Sequence, residues 1–170
     1  LYSSRWIEDG TPVQRRFVAR IEPELDKVPI FPSYDLRLQF DVMALVGAAT
    51  EAPVPEVLWF EADGAVIGAP FFVMARSDGE VPPDVMPYTF PDSCWLSHAS
   101  TADRMRLQCS AVEALVGIHQ VTPEVHDLDF LVPDQPGATS LERHLGGWED
   151  YLEWATADDR SPLLDECFAW

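Results

Sequence analysis

The sequence predicts an α+β protein: a small antiparallel-sheet lobe with one helix, a joint, and then a run of helices. Three observations predict it. Apolar and polar residues alternate on both sides of a Glu8-Asp-Gly-Thr11 turn signal. A helical apolar stripe follows, and then two more short β-rich stretches, the second ending at Asp78-Gly79. Beyond that point, stretches of helical apolar spacing alternate with Pro-rich loops.

In order, residues 1–7 read as a strand and Val13 to Ile21 as its return strand. Alternation places Phe17, Ala19 and Ile21 on one face and Arg16, Val18 and Arg20 on the other. Glu22 to Pro32 reads as a Pro-containing loop. Ser33 is the expected cap of a helix over Tyr34–Ala49, with Leu36, Phe40, Met43 and Gly47 on its stripe. Ala52-Pro-Val-Pro55 stops it, and Glu56–Glu61 reads as a strand. Ala62-Asp-Gly64 turns the chain back toward Phe71-Phe-Val-Met74, too short and too β-rich for a helix.

Glu80 to Ala99 holds Pro82, Pro83, Pro87 and Pro91, too many for a regular element. Its aromatic residues, Tyr88, Phe90 and Trp95, predict a packed loop. Ser100 caps the next expected helix, with Asp103 in its first turn, where the helix dipole favours an acid. Residues 121–138 read as loop, Ser140 as the cap of a third helix, and Ser161-Pro162 as the start of a fourth. The expected division is residues 1–79 as small lobe and joint, and 80–170 as the start of a helical lobe. Both ends read as cuts through elements.

A length of 170 residues with 47% hydrophobic content suits a globular domain with a real core. No apolar run approaches a membrane span. The net charge of −18 argues against nucleic acid or an anionic membrane as partner, and reads as a solvated acidic surface. Three widely separated cysteines predict a reducing, cytoplasmic setting without a disulfide framework. The four histidines are scattered, and no metal-ligand spacing is visible. There is one lysine, Lys27, and no asparagine.

Gly68-Ala-Pro-Phe-Phe-Val-Met-Ala-Arg-Ser-Asp-Gly79 resembles the interlobe hinge of the aminoglycoside phosphotransferase-like kinases. There a small residue–Pro–Phe–aromatic–Val–Met segment with a downstream Gly holds adenine. Phe17-Val-Ala-Arg-Ile21, Pro53-Val-Pro55 and Leu115-Val-Gly-Ile-His119 match the family in the same order. The resemblance implies a protein-kinase-like fold, ATP and magnesium, and γ-phosphoryl transfer to the hydroxyl of a small-molecule substrate.

Residue by residue, Arg20 falls where the family has the cation that pairs the nucleotide phosphates. Gln39 falls where it has the helix carboxylate that steadies this cation; a Gln can accept a hydrogen bond but cannot neutralise the charge. Met74, Ala75, Arg76 and Ser77 fall on the adenine-binding joint, where recognition uses backbone groups. His119 falls on the histidine ending the family's Leu-x-x-Leu-His helix and is expected to be a hydrogen-bonded core residue.

The family's catalytic His-Gly-Asp-x-x-x-x-Asn loop cannot lie in a chain without asparagine, so this loop and the magnesium ligands are expected outside it. The 170 residues then read as an internal fragment, inactive alone. His126-Asp-Leu-Asp129 has the wrong spacing, and Asp127 and Asp129 read as loop and cap residues. The alternative reading is a non-catalytic kinase-like binding or scaffold domain, since Arg20 and Gln39 both depart from the usual Lys–Glu pair.

Overall fold

The structure, a computed structural model, describes residues 2–23, 30–81, 94–156 and 161–169. The expected packing of Tyr88 and Phe90 lies outside the described residues. Strands β1 (Tyr2–Glu8) and β2 (Thr11–Ile21) form a hairpin in which Glu8 pairs with Thr11. The two turn residues, Asp9 and Gly10, take φ of 48° and 80°. Positive φ at both positions matches the twist of the flanking strands, and Asp-Gly supplies it at low cost.

Strands β3 (Val57–Glu61) and β4 (Phe71–Ala75) complete an antiparallel sheet of order β1-β2-β4-β3. Because β4 is central, Phe72 and Val73 on its two faces are both buried, at 0% and 2% exposure. A strand covered on both faces reads as a continuous apolar run, which is what Phe71 to Met74 is. Cross-strand register then sorts the faces. Phe17 and Ala19 oppose Ala75 and Val73, whereas Val18 and Arg20 oppose Met74 and Phe72. The alternation expected for β2 therefore holds. On the Phe17 face, Tyr2 stacks at 5.2 Å and Trp59 lies at 6.3 Å.

Helix α1 (Leu36–Ala49) covers the other face. Its Phe40 ring lies 5.9 Å from both Phe60 and Phe72. The cap is Asp35, not Ser33: the Asp35 carboxylate accepts from the Leu38 N–H at 2.7 Å. A carboxylate at this position answers an unpaired amide and the positive helix end together. Leu36 and Val46 are the buried residues of α1, whereas Gly47, expected on the buried stripe, is exposed.

The described part of the connection before residue 100 contains a regular element after all. A short helix, α2 (Trp95–His98), buries Leu96 beyond the proline-rich stretch. Helix α3 (Thr101–Ile118) is capped by Ser100 as expected. Helix α4 (Ser140–Ala155) is capped by Thr139 instead of Ser140, with a reciprocal bond from Glu142. This Thr-x-x-Glu arrangement satisfies amides at both ends of the motif. Helix α5 (Pro162–Ala169) starts at its proline. No described residue of α3, α4 or α5 is buried, and Met105, Val112 and Val116, which recur at helical spacing on α3, are exposed. His119 caps the C-terminus of α3 and is exposed, so its expected core placement is corrected; its N–H donates to the Leu115 carbonyl.

Candidate functional site

Arg20 stands near the end of β2, directly opposite Phe72. Side chains that pair across strands share a face, and those two apart along a strand share it as well. Arg20, Val18, Phe72 and Met74 therefore occupy one side of the sheet. That is the side α1 covers through Phe40. Phe72 is sealed beneath the helix, Val18 and Met74 are half-buried, and Arg20 is exposed. The result is an apolar floor with a cation at one end.

Gln39 precedes Phe40 on α1. Its Oε1 is buried and has no hydrogen-bond partner among the described residues, so Arg20 does not donate to it here. A buried carbonyl oxygen without a donor is costly, about 1–3 kcal/mol.

The joint leaves β4 at Met74. The Ala75 N–H donates to the Glu56 carbonyl at 2.8 Å, and the Arg76 N–H to the Arg16 carbonyl at 3.0 Å. Two of the three joint amides are thus committed to the sheet. The Ser77 N–H makes no backbone hydrogen bond to a described residue. Side chains brace the same segment. The Asp78 carboxylate accepts a hydrogen bond from the Arg16 guanidinium, and Arg76 Nε lies 3.7 Å from its other oxygen. These pairs are exposed and contribute little stability, but they limit where the joint can go.

From the sequence, Glu56, Arg16 and Asp78 carry no expected role at the joint. The turn signal at Asp78-Gly79 was visible. Its partner on β2 depends on a contact spanning 62 positions.

Asp127 serves its loop, its Oδ1 accepting from the Asp129 N–H at 3.1 Å where a short 3₁₀ turn, Asp129–Leu131, begins. Among the described residues no three His, Cys, Asp or Glu side chains converge as metal ligands. No helix among them is long and apolar enough to cross a membrane.

A four-stranded antiparallel sheet backed by one helix and followed by helices defines a kinase-like small lobe leading into a helical part. The family model described as the phosphotransferase enzyme family, APH, matches residues 2–169, and the chain belongs to that family.

Proposed function

We propose that the protein to which this chain belongs is an ATP-dependent kinase, transferring a γ-phosphoryl group to the hydroxyl of a small molecule. One observation carries the reading. Arg20 shares the helix-covered sheet face with Met74, beside a joint whose Ser77 amide is left out of the sheet.

Each residue then has a task. Val18 and Met74 offer an apolar surface to a flat base. The backbone of residues 75–77 would meet the polar edge of adenine, with the Ser77 N–H as donor, because the Ala75 and Arg76 amides are already used. Arg20 would hold and orient the phosphates; its planar fork suits two phosphate oxygens at once. Gln39, whose Oε1 is buried without a partner among the described residues, would accept a hydrogen bond once the site is filled. Magnesium would offset phosphate charge, with ligands supplied from outside these residues.

The chemical step needs a proton acceptor and metal ligands. A chain without asparagine does not supply the family's His-Gly-Asp-x-x-x-x-Asn pattern. We therefore place catalysis in the complete protein and expect these 170 residues alone to be inactive. A cytoplasmic location belongs to the same proposal, and the three free cysteines Cys94, Cys109 and Cys167 agree with it.

A non-catalytic nucleotide-binding or scaffold domain is the second reading. It is favoured by Gln39, which leaves Arg20 without a neutralising acid from α1. The complete open reading frame, expressed and assayed for ATP-dependent phosphorylation of small alcohols, separates the two. Turnover together with a downstream His-Gly-Asp-x-x-x-x-Asn supports the kinase; nucleotide binding without turnover supports the scaffold. Replacing Ser77 with Pro removes the one uncommitted joint amide and should weaken ATP binding, whereas Ser77→Ala should not.

A further inference from the structure

A recess of about 320 Å³ lies between the segment preceding α1 and the middle of α4. None of Arg20, Gln39 or residues 74–77 lines it. Its walls are aromatic. Phe31 lies 6.0 Å from Tyr151, and Trp148 meets Tyr151 edge to face at 5.6 Å. The Tyr151 hydroxyl donates to the Ile30 carbonyl at 3.0 Å, fixing one wall to the other across the chain.

The recess is kept open by a glycine. Arg143, Gly147 and Tyr151 follow one another at four-residue spacing, so they form one stripe of α4. Gly147 is the gap in that stripe, and a Cβ there would meet nothing within 4 Å. Glycine inside a helix is destabilising. Here no close packing requires it, and the space it leaves belongs to the recess. Gly137 has a different role: a Cβ there would come within 2.9 Å of the Arg143 N, so only glycine lets the preceding loop close against α4.

The stripe also carries a charge. Arg143 lines the recess, is half-buried, and makes no ion pair among the described residues. Two carboxylates of the same helix are engaged elsewhere. Glu142 accepts from the Ala138 and Thr139 amides, and Asp150 accepts from Gln135. A cationic ligand would be repelled by Arg143, and a neutral one would leave it unanswered.

We propose that this recess is a binding site for a small ring compound bearing a single anionic group. The ring lies against Phe31, Trp148 and Tyr151 over Gly147, and the anion pairs with Arg143. Aromatic side chains and one placed charge are the usual composition of such a site.

The test uses the full-length protein and phenylacetate as probe, with 2-phenylethylamine as its cationic counterpart, followed by ligand-observed NMR. Phenylacetate is expected to bind and 2-phenylethylamine to bind much more weakly. Gly147→Leu, which fills the recess and favours the helix, should abolish phenylacetate binding, and Gly147→Ala should reduce it. Arg143→Ala should weaken it at least about tenfold, the loss of a charged hydrogen bond. Circular dichroism confirms that each variant is folded. No binding at millimolar phenylacetate, equal or tighter binding of the amine, or undiminished binding by folded Gly147→Leu would overturn the proposal.

Discussion

Arg20 and Phe72 are cross-strand partners, one exposed and the other fully buried beneath α1. The most deeply packed point of the sheet therefore sets the position of its candidate phosphate-binding cation. Phe72 packs edge to face against Phe40, so the strand paired with Arg20 is anchored in the core. Such preorganisation lowers the ordering cost of binding.

Gln39 offers a test of whether this face is built for a ligand. Its buried Oε1 has no partner among the described residues. Replacing Gln39 by Met keeps the volume and removes the orphan oxygen. Stability of the nucleotide-free protein should rise, by up to about 1–3 kcal/mol. Urea unfolding measures it. A clear loss of stability would mean that the Gln39 amide holds the fold together.

The helix caps can be tested the same way. Asp35→Ala should cost about 0.5–2 kcal/mol, because the Leu38 amide loses its acceptor. Ser33→Ala should stay within about 0.5 kcal/mol of the parent. Thr139→Ala should likewise cost more than Ser140→Ala. The reverse order in thermal unfolding would restore the caps expected from sequence.

Asp103 brings a pH dependence. The Ser100 hydroxyl, donating at 2.7 Å, is the main reason its carboxyl lies below the usual Asp range; Arg106, donating at 2.8 Å, adds to this, and desolvation opposes it. A carboxyl with a lower pKa in the folded state stabilises the fold above its unfolded value, near 3.9. That contribution is lost as pH falls through the lower folded value. Stability should therefore decline on acidification in this window, and Asp103→Asn should remove that part of the decline. An NMR titration of the Asp103 carboxyl, with melts at each pH, checks both.

The succession of strands and helix along the chain could be read because local chemistry agreed with the fold, but the sheet order β1-β2-β4-β3 could not. Asp9-Gly10 suits its turn, and Phe71 to Met74 is apolar because both of its faces are covered. The caps were harder to read. Ser33 and Asp35 are both good cap residues, and only the helix start decides between them. Thr139-x-x-Glu142 was readable as a capping box, but Ser140 lay closer to the apolar run. Helix α2 was hidden because the prolines lie only in the first part of its segment.

The joint illustrates the remaining limit. Which of its amides is uncommitted depends on Glu56 and Arg16, from two other parts of the chain. The recess on α4 likewise needs Ile30 beside Tyr151, 121 positions away. Periodicity carries no information about such pairs.

The most direct measurement of the central claim is the affinity of the full-length protein for ATP with Arg20 replaced. Arg20→Ala should weaken binding by about 1.5–3 kcal/mol, the range for hydrogen bonds to a charged group, or roughly 10- to 150-fold in Kd. Arg20→Lys should lie between that variant and the parent, because it keeps the charge and loses the fork. If calorimetry gives the same Kd for the parent and Arg20→Ala, Arg20 is an ordinary surface residue, and the face it shares with Met74 is not where the nucleotide phosphates bind.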